Sequence, residues 1–151
     1  MSIISAIYKA PVKAVAVSEI NGEVVVLIDF NGKLYEGVAT LHPEDEGFFS
    51  ERVGKNIAKS RARLTIFQDA IAEAKKIDEV KGRMIKELAT TIGYDWEKID
   101  PTGMVYQNYI KSTLNLENLR YAYKQEKRKL NNYLEGQDRM IDSVKLHRRL
   151  E

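Results

Sequence analysis

Four cations fall close together in "GKNIAKSRAR": Lys55, Lys59, Arg61 and Arg63. Acidic residues precede them, in "HPEDEGFFSE". Side chains of this kind do electrostatic work: they offset a phosphate or carboxylate, or they only keep a helix soluble. At 100° per residue, Lys55 and Lys59 share a helical face, whereas Arg61 and Arg63 point about 200° apart. Arg61 lies four residues after Ile57 and three before Leu64, on or beside an apolar seam. There it suits either an ion pair between subunits or a planar fork gripping a phosphate.

A second group lies in "MVYQNYIKSTLNLENLRYAYKQEKRK". Arg120 and Lys124 are one helical turn apart, with Tyr121 and Tyr123 between them, and Tyr106, Asn108 and Tyr109 upstream. Flat rings, amides and cations are the groups that stack on a base and neutralise phosphate. The same tyrosines also serve as core residues with their hydroxyls turned outward. His42 with Glu44, Asp45 and Glu46 is a metal set on paper, but adjacent acids in a turn lack the fixed geometry of a site. They are read as structural, with no metal and no cofactor expected. No nucleophile elbow, zinc-protease helix, phosphate loop or dinucleotide fingerprint occurs, so no catalytic residue is assigned and no enzyme is expected.

The elements that must carry these groups follow from pattern. "KAVAVSEI", "EVVVLIDF" and "KLYEGVATL" are strand-like and are joined at Asn21-Gly22 and Asn31-Gly32, the strongest short hairpin signal. "ISAIYK" reads as a further strand at the edge, ending at Pro11. Helical periodicity takes over at a candidate N-cap, Ser50, with Glu51 in the first turn to meet the helix dipole. Val53, Ile57, Leu64, Phe67, Ile71, Ala74, Ile77, Met84, Leu88 and Ile92 recur at steps of 3, 4 or 7, so one helix is expected from about Ser50 to Thr91, ending at Gly93. Gly82 inside it marks a kink or a close crossing. Asp100-Pro101-Thr102-Gly103 is turn chemistry. A second helical stripe follows at Leu116, Leu119, Tyr123, Leu130, Leu134, Ile141 and Val144, with Ser112 or Asn115 as a break point.

The expected fold is α+β: an antiparallel β-meander over 1–48, then a long-helix hairpin over 49–151, as one structural domain. A helix of about 40 residues is about 60 Å long, and two long apolar stripes exceed what one subunit buries, so a homo-oligomer is expected. The competing arrangement is a monomer whose first helix folds back at Gly82.

Bulk composition sets the outer limits. The chain has 151 residues, no cysteine, 44% hydrophobic and 30% charged residues, and a net charge of +2. The absence of cysteine excludes disulfides and thiolate metal sites and fits a reducing compartment. No signal peptide or membrane span is read from the sequence. Residues 1–50 carry −4, residues 51–110 carry +2 and residues 111–151 carry +4. That last value is weak for a nucleic-acid binder.

The segment "YEGVATLHPEDEGFFSERVGKNIAKSRAR" resembles a pattern of small phage proteins: a strand ending G-x-A, a His-Pro-x-Asp turn, an aromatic, then G-x-x-I-A-x-x-R-A on a helix. Within that group the chain is most similar to the phage-encoded anti-Thoeris sponges, at motif level over residues 1–65 and in architecture beyond. The resemblance implies an oligomer in the host bacterial cytoplasm that binds a cyclic ADP-ribose isomer, a cyclic oligonucleotide, or both. It would thereby blind an immune effector of the Thoeris or CBASS kind. It implies Arg61 as a phosphate ligand, with Arg120 and Lys124 as a looser match, the lysine standing where a second arginine is expected. Together with the cation, ring and amide pattern above, the candidate ligand set is Arg61, Lys59, Arg120, Lys124, Tyr109, Tyr123 and Asn108, with Trp96 as a further ring. Two other readings remain: a protein-binding inhibitor or assembly factor working through its helices, and a non-specific nucleic-acid binder.

Overall fold

The computed structural model describes residues 2–18, 20–40, 51–92 and 96–150, apart from the side chains at 91–92, 96, 99, 140–141, 143–145 and 147–150. His42, its acidic neighbours, Ser50 and Gly93 lie outside that description, as does the Trp96 side chain. The order is α1 (Ile3–Lys9), β1 (Val12–Ser18), β2 (Glu23–Phe30), β3 (Lys33–Thr40), α2 (Glu51–Ile92), α3 (Trp96–Ile99) and α4 (Met104–Leu150). This is an α+β fold, a three-stranded antiparallel sheet in the order β1-β2-β3 followed by two long helices. The chain forms two compact units, Met1–Phe67 with Tyr123–Glu151, and Gln68–Ala122.

In the first unit, "IISAIYK" is a helix and not the edge strand expected from sequence. Ser2 caps it, its Oγ accepting from Ser5 N at 3.1 Å, and its isoleucines repeat at helical spacing, with Ile7 fully buried. Capping and burial outweigh the β preference of Ile and Tyr. The helix stops at Ala10 because a residue before proline is pushed to extended backbone, here ψ 130.

The two turns differ. At Asn31-Gly32 both residues have positive φ, 53° and 78°, and Phe30 pairs with Lys33, which is the two-residue type I′ hairpin. Asp29 Oδ1 adds a bond from Gly32 N at 3.2 Å. At the first turn Ser18 pairs with Glu23, so the connection is longer than two residues, and among its described residues Gly22 alone takes positive φ, 61°.

Alternation along β2 and β3 buries Val24, Val26, Ile28, Tyr35 and Ala39 on the face that meets α2. The helix backbone comes close to the sheet at Gly37. A Cβ built there would clash severely with the Ala58 carbonyl oxygen and lie 2.8 Å from Ala62 N. Ala58 and Ala62 are fully buried, and Ile57, Ile66 and Phe67 complete that side of the core. Small residues on both elements let backbone touch backbone.

The second unit is held by facing residues of α2 and α4. The Tyr109 ring lies over Gly82, whose hypothetical Cβ would stand 3.3 Å from ring Cε2. The glycine therefore marks a close crossing, and α2 runs through it unbroken. Asp78 Oδ1 accepts from Thr113 Oγ1 at 2.8 Å. Between the helices, Gly103 turns the chain at φ 72°, and the Asp100 carboxylate caps α4 through Val105 N (3.2 Å) and Tyr106 N (3.0 Å). The expected break at Ser112 or Asn115 is absent, because α4 is continuous. An asparagine inside a helix costs roughly 0.5 kcal/mol, less than burial of Leu116 and Leu119 contributes.

Candidate functional site

The cations of α2 diverge with helical phase. Arg52, Lys55, Asn56 and Lys59 recur at steps of 3, 1 and 3 and line one open concavity of about 440 Å³ together with Glu51. One salt bridge crosses it, Lys55 Nζ to Glu51 Oε1 at 2.9 Å, between side chains 42% and 50% exposed. Such an exposed i,i+4 pair contributes roughly 0.3–0.5 kcal/mol, so an incoming anion can compete for Lys55. The start of a helix adds its own partial positive charge.

Arg61 turns the other way. It is half-buried, and its Nη1 donates to the Val38 carbonyl of β3 at 2.7 Å. One of the five N–H groups of the fork thus ties helix to strand. Arg63 lies over the Tyr8 ring, with its guanidinium carbon 5.4 Å from the centroid.

That ring belongs to a buried polar knot absent from the sequence-based candidates. Glu126 is 1% exposed. Its Oε1 accepts from Ser60 Oγ at 2.8 Å and its Oε2 from Tyr8 Oη at 3.1 Å. Lys129 Nζ stands 5.6 Å from the Tyr8 centroid, and Phe67 meets the ring edge-on at 5.8 Å. Both carboxylate oxygens are occupied, and among the described residues no buried side-chain polar atom lacks a partner. The arrangement is therefore one of cohesion. Glu126 is in phase with Leu119, Tyr123 and Leu130, and Ser60 with Ile57 and Phe67. A charge and a hydroxyl on opposing apolar stripes were the available signal.

Burial, the Glu126 charge and its hydrogen bond together push the Tyr8 phenol from 10.0 up to about 12, with Arg63 pulling the other way. The folded state thus holds this proton more tightly than the unfolded chain. The resulting stability is complete below pH 10 and is lost as pH rises through about 12. Tyr8→Phe should flatten the fall in melting temperature across that window relative to the parent. Parallel curves for the two proteins would show that the phenol contributes nothing there.

Of the other candidate residues, Arg120 and Lys124 are exposed on α4 and Tyr123 is half-buried. Tyr109 packs on Gly82, and exposed Asn108 lines a small hollow of about 110 Å³ with Lys81, Met84, Ile85 and Val105. Lys59, Arg61, Tyr123 and Lys124 belong to the first unit, and Asn108, Tyr109 and Arg120 to the second. Neither unit holds the full set. Among the described residues no three His, Asp or Glu converge as metal ligands, and no helix is long and apolar enough to cross a membrane. No protein-family model, curated protein or solved structure matches the chain.

Proposed function

We propose that the chain is a phage anti-defence sponge, a homo-oligomer that sequesters a cyclic nucleotide immune signal in the host bacterial cytoplasm without catalysis. The ligand class is a cyclic ADP-ribose isomer or a cyclic oligonucleotide. The observation that carries this reading is the cationic concavity on the first turns of α2. Arg52, Lys55 and Lys59 supply charge there and Asn56 supplies an amide. The resemblance of "GKNIAKSRA" to the sponge pattern supplies the ligand class. Sequestration must out-compete an effector, which calls for nanomolar affinity, about −12 kcal/mol. Exposed cations alone do not reach that. Base stacking at about 1–3 kcal/mol per ring has to contribute, and the Arg61 fork, which faces away from the concavity, is a separate phosphate contact that the resemblance implies.

The purified protein should carry a small nucleotide that is released on heating. Arg61→Ala should weaken binding of that nucleotide roughly thirtyfold or more, since loss of a buried charged contact costs about 2–5 kcal/mol. Arg61→Lys should recover part of the loss, and Lys75→Ala, on the exposed face, should change nothing. Isothermal titration with cyclic nucleotides reads the affinity, and a melting curve checks that the lost Val38 bond has not unfolded the protein. Full affinity in a folded Arg61→Ala protein removes Arg61 from the site. Failure of every cyclic nucleotide to bind the parent removes the sponge reading.

A second reading is favoured by a different observation. Tyr106, Ile110, Leu114 and Tyr121 on α4 are 53%, 39%, 50% and 66% exposed and recur at steps of 4, 4 and 7. An exposed apolar stripe of this kind suits a helix-binding protein partner. Leu114→Glu would abolish such binding and leave nucleotide affinity intact.

A further inference from the structure

Among the described residues nothing pairs with one edge of the sheet. β1 is hydrogen-bonded only to β2 within the sheet, and every residue from Val12 to Val17 is exposed. The cover over the sheet stops one strand short of it. Val24 and Val26 are fully buried, whereas their register partners Val17 and Val15 are 37% and 44% exposed. Natural edges are blunted by proline, by charge or by a bulge. Here the register irregularity lies at the Val12/Ala14 end, the only charge is Lys13, and Ala14–Ser18 is a regular, uncharged, valine-bearing strand.

We propose that this edge is a homodimer interface in which β1 pairs antiparallel with β1 of a second copy, with Ala16 on the two-fold axis. The register uses only the regular stretch. Ala14 falls opposite Ser18, Val15 opposite Val17, and Ala16 opposite itself, so no charge enters the paired segment. The two Val15–Val17 pairs lie on the side of the sheet where Val24 and Val26 are already buried. β-Branched residues facing one another across strands are favourable partners. The two Lys13 side chains, just outside the paired segment, sit at opposite ends of it. They are roughly 20 Å apart at 3.4 Å per residue, beyond the physiological Debye length of about 8 Å. The three-stranded sheet becomes a six-stranded one, and a row of open N–H and C=O groups is filled. The interface extends the oligomer part of the proposed function and is independent of the ligand.

Ala16 is exposed in the single chain, so A16K and A16E should each fold, and far-UV circular dichroism checks this. The parent should run by native mass spectrometry at twice 17.3 kDa or an even multiple. A16K and A16E, which place like charges face to face on the axis, should each run at half the parent mass. An equimolar mixture should regain the parent mass. On the parent itself, β1 amides not bonded to β2 should be protected from hydrogen exchange, with protection falling on dilution. A monomeric parent, A16K at the parent mass, or β1 edge amides exchanging freely at high concentration each overturn the interface. Nucleotide release from the same samples separates the two claims. A monomer that carries nucleotide overturns the interface and the oligomer but leaves sequestration standing, and a β1-paired dimer that binds no cyclic nucleotide overturns the sponge reading alone.

Discussion

Gly37→Ala is expected to destabilise the protein by about 3 kcal/mol or more, the upper range for overpacking a core. One methyl has this effect because of what it meets. Its position lies far inside van der Waals contact with the Ala58 carbonyl oxygen and stands 2.8 Å from Ala62 N. A side chain can rotate away, but helix backbone cannot move without lifting α2 from the sheet, and with it the contacts of Ile57, Ile66 and Phe67. For a chain of this size the melting midpoint should fall by about 10 °C. The paired control has the opposite sign. Gly136 lies inside α4 with nothing within 4 Å of a Cβ, so Gly136→Ala should stabilise by about 1 kcal/mol through helix propensity alone. Equal melting temperatures for parent and Gly37→Ala would mean that α2 is not seated on β3 as described.

Glu126→Ala is the second large effect. It removes the shared acceptor of two hydroxyls, one of them on Ser60, which is 1% exposed. A stranded buried hydroxyl costs about 1–3 kcal/mol, and the emptied volume adds a cavity term. The loss should total about 3 kcal/mol even after the relief of no longer burying a carboxylate. The knot acts as a unit, so its members should not add. Replacing all three together, with Tyr8→Phe, Ser60→Ala and Glu126→Leu, leaves no orphan and no buried charge. That protein should return to within about 1 kcal/mol of the parent, as apolar substitutes for buried charge often do. Chemical denaturation of the single and triple variants decides the matter. A triple-variant loss equal to the sum of the three single losses would show that the three groups are not energetically coupled.

How far these arrangements were legible depends on the range over which each is encoded. The Asn31-Gly32 turn and the span of α2 are local: positive φ favours Asn-Gly, and a stripe at steps of 3, 4 and 7 marks a helix. α1 resembles a strand in sequence because Ile and Tyr favour strands, while its cap, Ser2, is a single small residue. The break expected near Ser112 was propensity taken without packing, since Leu116 and Leu119 hold α4 together. At the candidate site, the shared face of Lys55 and Lys59 was readable from phase, and so was the position of Arg61 at the seam. Its partner was not, because a backbone carbonyl on β3 leaves no trace in the identity of Val38. Glu126 was readable in principle as a charge out of place on an apolar stripe.

The contact at Gly37 also bears on ancestry. Surface charges such as Lys55 and Lys59 can drift without harm to the fold, and ligand preference can drift with them. Position 37 has no such latitude, and neither do the two alanines whose backbone it touches. A distant relative of this chain should therefore keep a glycine on its third strand and, 21 and 25 residues later, two small residues one helical turn apart. Sequences gathered by that spacing, with no requirement on charge, would form the lineage in which binding specificity could be seen to change while the seat of the helix stayed fixed.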